Sequence, residues 1–185
     1  MLYYIDMMND TYIWLERLSS LQRSLMRKAA NEEGLQLVHV EILQYLSLCN
    51  RYSNTAQSLS EYLGQTKGSI SQSLKFLDDD GLIKRVPCKE DGRIVRLHLT
   101  DKAQDTLKRI QKTIVPIFEG DEKIILAFKN ILKTWQRQEG QKSFGQCRSC
   151  RFNVDKGNGT FQCGMTKETL KAFETLQICR EHEFV

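Results

Sequence analysis

Proline is nearly absent from this chain, with only Pro87 and Pro116 in 185 residues. That scarcity argues against collagen-like and disordered low-complexity classes and leaves room for long helices. No segment approaches the ~18 consecutive apolar residues of a membrane-spanning helix, and no basic stretch followed by an apolar run opens the chain, so neither a span nor a secretory signal is expected. The expected location is the cytoplasm, where thiols stay reduced. Internal repeats and low-complexity stretches are lacking too. A large excess of one charge is also missing: 27 Lys and Arg against 23 Asp and Glu leave a formal +4. Such a balance is compatible with a polyanionic partner but does not identify one, so the placement of the charges has to decide.

What the chain does have is an ordinary globular composition, 41% hydrophobic and 27% charged, at a length that allows one core domain plus a small appendage. Apolar residues at helical spacing (Tyr12, Leu15, Leu18, Leu21, Leu25) predict a long amphipathic first helix over residues 10–28. A second helix is expected over 38–48. Two shorter ones, 55–63 and 67–79, are separated by a tight turn at Gly64, which is the helix-turn-helix signature. Gly81 then ends the helical pattern, and the period changes to that of strands over 82–86 and 94–99, flanking a hairpin turn at Asp91-Gly92. Thr100 or Asp101 is placed to cap a helix running to about residue 115, and a last helix is expected over 121–138. The predicted fold class is mainly α: a winged helix-turn-helix with long dimerisation helices and a small C-terminal metal-binding module. The predicted boundaries are 1–140 for the first unit and 141–185 for the second, with 140–145 as a linker.

In the stretch 67–79 the 3.6-residue period puts Ile70, Leu74 and Leu77 on a buried face. Gly68, Ser71, Gln72 and Lys75 fall opposite, with Lys67 and Ser69 at the end that would enter a groove first. Short polar side chains allow close approach, Gln can bond adenine, and Lys can contact guanine or phosphate. Any surface helix shows a polar face, so this alone does not decide. The hairpin tips the balance, because Lys84, Arg85, Lys89, Arg93 and Arg96 concentrate positive charge within it. An arginine at a hairpin tip fits the negative potential of the minor groove, and lysines neutralise flanking phosphates.

From Asp10 to Gln138 this order of elements resembles the MarR family of winged-helix regulators. The resemblance is most specific in LKFLDDDGLIKRVPCKEDGRIVRLHLTDKA, where Asp91 and Arg93 match the family's Asp-x-Arg wing motif. It implies that Arg93 reaches the minor groove and that Asp91 holds the wing in shape. It also implies a homodimer, interlocked through its first and last two long helices, that binds a palindromic site on double-stranded DNA and usually represses transcription. Relatives often bind a small-molecule effector, but no side-chain cluster names one here. Gln72 and Ser73 depart from the larger or basic residues of many relatives, which leaves the operator sequence open.

The six cysteines are unevenly placed. Cys147-Arg-Ser-Cys150 is a Cys-x2-Cys knuckle whose two thiolates suit one metal ion. Cys163 and Cys179 complete a four-cysteine set, and Cys179-Arg-Glu-His182 offers His182 as a reserve ligand. A closed four-ligand site is structural, and a segment of about 40 residues builds little core, so zinc would supply folding free energy. Four cysteines can also hold an iron-sulfur cluster, which would make the tail a redox or metal sensor; zinc is favoured because the ligands are spread over a long stretch with a knuckle at one end. A helix is expected over 167–177, and the tail's aromatics could also dock another protein. Cys88 sits among wing cations that favour a reactive thiolate, so a redox switch there is a further option. Cys49 reads as buried packing, and His39 and His98 as structural or surface residues. An enzyme is the reading from another class: Cys147 and Cys150 as a thiol-disulfide pair, disfavoured because no strand-then-helix context surrounds them.

Overall fold

The computed structural model describes residues 10–88, 91–114 and 121–185. Helices α1 (Asp10–Glu32), α2 (Leu37–Leu48), α3 (Ala56–Leu63) and α4 (Lys67–Asp79) are followed by strands β1 (Ile83–Pro87) and β2 (Val95–Leu99), then by α5 (Asp101–Ile114) and α6 (Glu122–Gln138). The tail begins with a 3-10 turn, Cys147–Ser149. Strands β3 (Asn153–Asp155), β4 (Thr160–Cys163) and β5 (Thr169–Lys171) and a second 3-10 turn, Ala172–Leu176, complete it.

Helix α2 lies at the centre because most of its faces are apolar, and such a helix must be covered on most sides. His39, Val40, Ile42, Leu43, Tyr45 and Leu46 are all buried. Around it pack Ile70, Leu74 and Leu77 of α4, Leu97 of β2 and Ala103, Leu107 and Ile110 of α5 in one continuous cluster. Only the end of α1 joins that cluster, through Met26, Ala29 and Ala30. Its first two thirds keep Tyr12, Trp14, Leu18 and Leu21 exposed, and α6 buries no side chain at all while exposing Ile124, Ile125, Phe128, Leu132 and Trp135.

The helix-turn-helix is set by local chemistry. The Thr55 hydroxyl accepts from Ser58 N–H at 3.2 Å to start α3, and the Thr66 hydroxyl accepts from Ser69 N–H at 3.2 Å to start α4. Between them Gly64 sits at φ +63°, a left-handed conformation that costs an L-residue roughly 1–2 kcal/mol. After α4 the Leu82 N–H reaches back to Leu77 O at 2.8 Å over Gly81, closing the helix end. Strands β1 and β2 then pair antiparallel from Ile83 opposite Leu99 to Pro87 opposite Val95. Thr100 caps α5, accepting from Ala103 N–H at 3.3 Å and donating to Gly81 O at 2.8 Å.

The tail departs from expectation in three ways. The 140–145 stretch is docked rather than a loose linker, since Phe144 meets the rings of Tyr62 and Tyr45 edge-on, 5.2 and 6.2 Å between centroids. The helix expected over 167–177 is instead β5 followed by a 3-10 turn. Phe173 and Leu176 are three apart, a spacing that lines up on a 3-10 turn, and β4 captures Thr169–Lys171 by pairing Gln162 with Thr169 and Phe161 with Leu170. Finally, the module is built on a three-stranded antiparallel sheet in the order β3-β4-β5, where no strand was expected. Among the described residues no three His, Cys, Asp or Glu side chains are gathered closely enough to hold an ion.

Candidate nucleic-acid interface and cysteine cavity

On α4 the buried side is Ile70, Ser73, Leu74 and Leu77, and Lys67, Gly68, Ser71, Gln72 and Lys75 are exposed, with Ser69 half-buried beside them at the first turn. Ser73, a departure from relatives in the sequence, faces the core and cannot read a base. The start of α3 and the wing border an open groove of about 610 Å3, lined among others by Thr55, Gln57, Arg85, Arg93 and Arg96, to which α4 contributes only the buried Leu74. At the wing tip Arg93 is almost wholly exposed, and its guanidinium forms a two-pronged contact with Asp91, Nε to Oδ1 at 3.0 Å and NH2 to Oδ2 at 2.9 Å. Asp91 Oδ1 also accepts the Arg93 backbone N–H at 3.0 Å. These bonds hold the Asp91 carboxyl below its ordinary range. In so exposed a pair the consequence is shape rather than stability: the arginine is presented outward on a fixed turn.

The other wing cations separate by role. Lys84 is exposed on β1. Arg85 is tied to Asp78 of α4 at 2.9 Å, which couples the wing to the end of α4 and engages part of the guanidinium expected at DNA. Arg96 turns inward and donates to Tyr52 O at 2.8 Å. Lys89 lies outside the described residues. Cys88 is half-buried at the end of β1, its N–H bonded to Ile94 O at 2.8 Å. His98 is exposed, and His39 is buried against Phe76, ring to ring at 4.3 Å, with burial holding its pKa down.

In the tail Cys147, Cys150, Cys163 and Cys179 come from three separate turns to line one small cavity of about 50 Å3. Cys147 and Cys150 close a turn through Cys150 N–H to Cys147 O at 3.0 Å, Cys163 opens one through Lys167 N–H to its carbonyl at 2.8 Å, and Cys179 opens a third through His182 N–H at 3.3 Å. Burial, then the neighbouring Cys150, Cys179 and Cys163 sulfurs, push the Cys147 thiol up to about 11. Such a thiol is protonated at neutral pH, the opposite of an activated nucleophile. Cys163 differs: burial raises it, yet the Thr166 N–H and hydroxyl and the Met165 N–H facing its sulfur lower it overall. His182 is not part of this cavity's lining. Its Nδ1 lies 2.6 Å from Ser143 Oγ and its Nε2 3.0 Å from Ser149 Oγ, and the ring packs over Gly145. Cys49 is buried packing, its thiol pushed up to about 12 by burial.

A set of contacts missed by sequence reasoning joins the two places. The loop 49–55 between α2 and α3 lies between tail and wing. On the tail side Asn50 N–H donates to Ile178 O at 2.8 Å, Ile178 N–H to Leu48 O at 2.8 Å, and Arg180 N–H to Ser53 Oγ at 2.9 Å. Arg51 pairs with Glu168 and Glu174, each at 2.8 Å, Tyr52 hydroxyl bonds Glu168, and Arg180 pairs with Glu61 at 2.6 Å. Toward the wing Asn54 accepts Leu97 N–H at 2.9 Å and donates its side-chain amide to Leu97 O at 3.1 Å. Nothing in the residue types around positions 50–54 signals these bonds, since most of them depend on a segment more than a hundred residues away.

A helix-turn-helix with a basic two-stranded wing on its flank defines the winged-helix class of transcriptional-regulator folds. Residues 33–94 match the model of the MarR family, about a third of the chain. Solved structures agree at the level of fold. CouR from Rhodococcus jostii RHA1, bound to p-coumaroyl-CoA, superposes with a TM-score of 0.56 at 17% identity over 69% of this chain and 92% of its own. AbsC, a MarR family transcriptional regulator from Streptomyces coelicolor, gives 0.54 at 20% over 72% and 98%. Wild-type MarR from E. coli, in its apo form, gives 0.52 at 14% over 69% and 98%. A comparison with curated protein sequences gives no match. Among the described residues no helix is long and apolar enough to cross a membrane.

Proposed function

We propose that the chain is a DNA-binding transcriptional regulator, a repressor that binds a palindromic operator as a homodimer. The observation that carries this reading is the exposure of the polar face of α4 beside a basic wing whose Arg93 stands exposed at the tip, with Asp91 fixing it there. In this arrangement the start of α4 enters the major groove, where Lys67, Ser69, Ser71, Gln72 and Lys75 meet base edges and phosphates, and Arg93 enters the adjacent minor groove. Lys84 neutralises a flanking phosphate. A second copy of the chain supplies the cover for the apolar stripes of α1 and α6, since a large exposed apolar surface of this kind marks an interface. A dimer axis between two such domains accounts for a palindromic site, and occupancy of a promoter by the dimer excludes other proteins from it.

The test is binding to a duplex selected from a random pool, followed by fluorescence anisotropy over a range of salt. Arg93→Ala should weaken specific binding roughly tenfold or more, from the ~1–3 kcal/mol of a base-reading arginine, while Lys67→Ala should flatten the salt slope by about one counterion. Failure to enrich any sequence, or full affinity in Arg93→Ala, would remove the wing from this mechanism. Light scattering on the same sample checks the dimer.

A further inference from the structure

Four cysteines at the cavity in the tail have no part in DNA binding as proposed, and by packing alone they contribute little beyond a thin lining. The cavity, about 50 Å3, exceeds the ~10–15 Å3 that admits a single water, so it has room for an ion. Each cysteine stands at a tight turn, and at Cys163 the backbone N–H groups of Met165 and Thr166 face the sulfur. N–H groups directed at a sulfur are the outer contacts that orient a thiolate ligand. The four sulfurs are spaced more widely than a coordinated set, so ligation must tighten the cavity.

We propose that Cys147, Cys150, Cys163 and Cys179 bind one zinc ion in this cavity, and that the ion fastens the tail to the loop 49–55 that supports the wing. Ligation forms four Zn–S bonds as the four thiol protons leave to solvent, with no change of oxidation state. The link to the wing is short. Cys179 is flanked by Ile178, bonded to Asn50 and Leu48, and by Arg180, bonded to Ser53 and Glu61, and the same loop holds β2 through Asn54 and Tyr52. An ion that fixes Cys179 therefore fixes the loop and, through it, the strand that leads to Arg93. Zinc is the choice over other thiophilic ions because a closed four-thiolate set suits its tetrahedral preference. The effect on DNA rests on the proposed function, while the metal site itself does not.

The experiment uses the full chain purified without oxygen, with zinc, iron and acid-labile sulfide measured per chain. The expected result is about one zinc per chain with no iron, matching a single closed site. Cys163→Ser should lose that zinc and Cys88→Ser should keep it. Because a cysteine variant could fail to fold, the wild-type chain is also treated with a chelator and followed by hydrogen exchange. Removing zinc should speed exchange at the Asn50 and Ile178 amides about tenfold while leaving Leu43 protected, the pattern of local opening. Re-adding zinc should restore both. A chain that holds no zinc as purified and takes none up when reduced would overturn the proposal, as would iron with sulfide in its place. Equal zinc in wild type and Cys163→Ser would also overturn it. If zinc is present but no duplex is bound, the metal site stands and the proposed function falls. If duplex is bound by a chain that neither holds zinc as purified nor takes it up, the proposed function stands and the metal site falls.

Discussion

From Met26 to Ile110 the buried apolar side chains form one continuous cluster, whereas beyond residue 140 the buried apolar side chains among those described are Cys147, Cys150 and Leu170. Fully burying one large aliphatic side chain is worth about 1.5–3 kcal/mol, so the first region has the means to fold by itself and the tail does not. The tail is held by polar contacts instead: His182 between two serine hydroxyls, Arg180 on Glu61, and Arg51 on two glutamates. Exposed ion pairs of this kind are worth roughly 0–1 kcal/mol each. The difference teaches where sensitivity should lie. Damage to the cluster should unfold the winged helix, and damage to the tail should loosen only its attachment.

The strongest way to sharpen this contrast is Leu43→Ala in α2, a fully buried site. A loss of about 2–5 kcal/mol is expected in urea denaturation, the usual cost of a large-to-small core change. A loss well under 1 kcal/mol would mean that the cluster is not the cooperative centre it is taken to be.

A smaller and local effect is expected from Gly145→Ala. The added Cβ would lie 2.5–2.7 Å from the His182 ring, forcing the ring off its serine partners. The cost, on the order of 1–3 kcal/mol for an overpacked site, should show as faster proteolysis after residue 140 with the winged helix still folded. If both regions melted together, the molecule would be a single cooperative unit and the comparison would break.

The smallest effect concerns pH. Burial lowers the pKa of His39, so the folded state favours the neutral ring, whose Nδ1 is 3.3 Å from Gln36 N–H. The unfolded chain takes up the proton near pH 6.5 and the folded chain only at lower pH. Stability is therefore full above 6.5 and declines as pH falls through 6.5 toward the lowered native value. His39→Gln should flatten that slope in the winged helix, and an unchanged slope would point to the tail's buried His182 instead.

Much of the winged helix was legible in the sequence because local rules and tertiary packing agree there. Thr55, Gly64, Thr66 and Gly81 mark helix ends by their own chemistry, and Ile70, Leu74 and Leu77 repeat at helical spacing. The exposure of Arg93 beside Asp91 followed from the hairpin turn. The tail was less legible because its three-residue apolar spacing fits a helix as well as a 3-10 turn, and pairing with β4 decided between them. Arg85 and Arg96 were grouped with the other wing cations, since sequence distinguishes no partner for them. Asp78 and Tyr52 separate them only in space.

By itself the sequence determined the order of helices and strands in the winged helix, the charge on its wing and the supply of four cysteines in the tail. Each of these depends on residue type and short-range spacing. Only the tertiary structure decided that the four cysteines share one cavity, that His182 belongs to two serines, and that the loop 49–55 joins tail to wing. Those outcomes depend on contacts between segments far apart in the chain, or on which of several near-equal local conformations the rest of the fold selects.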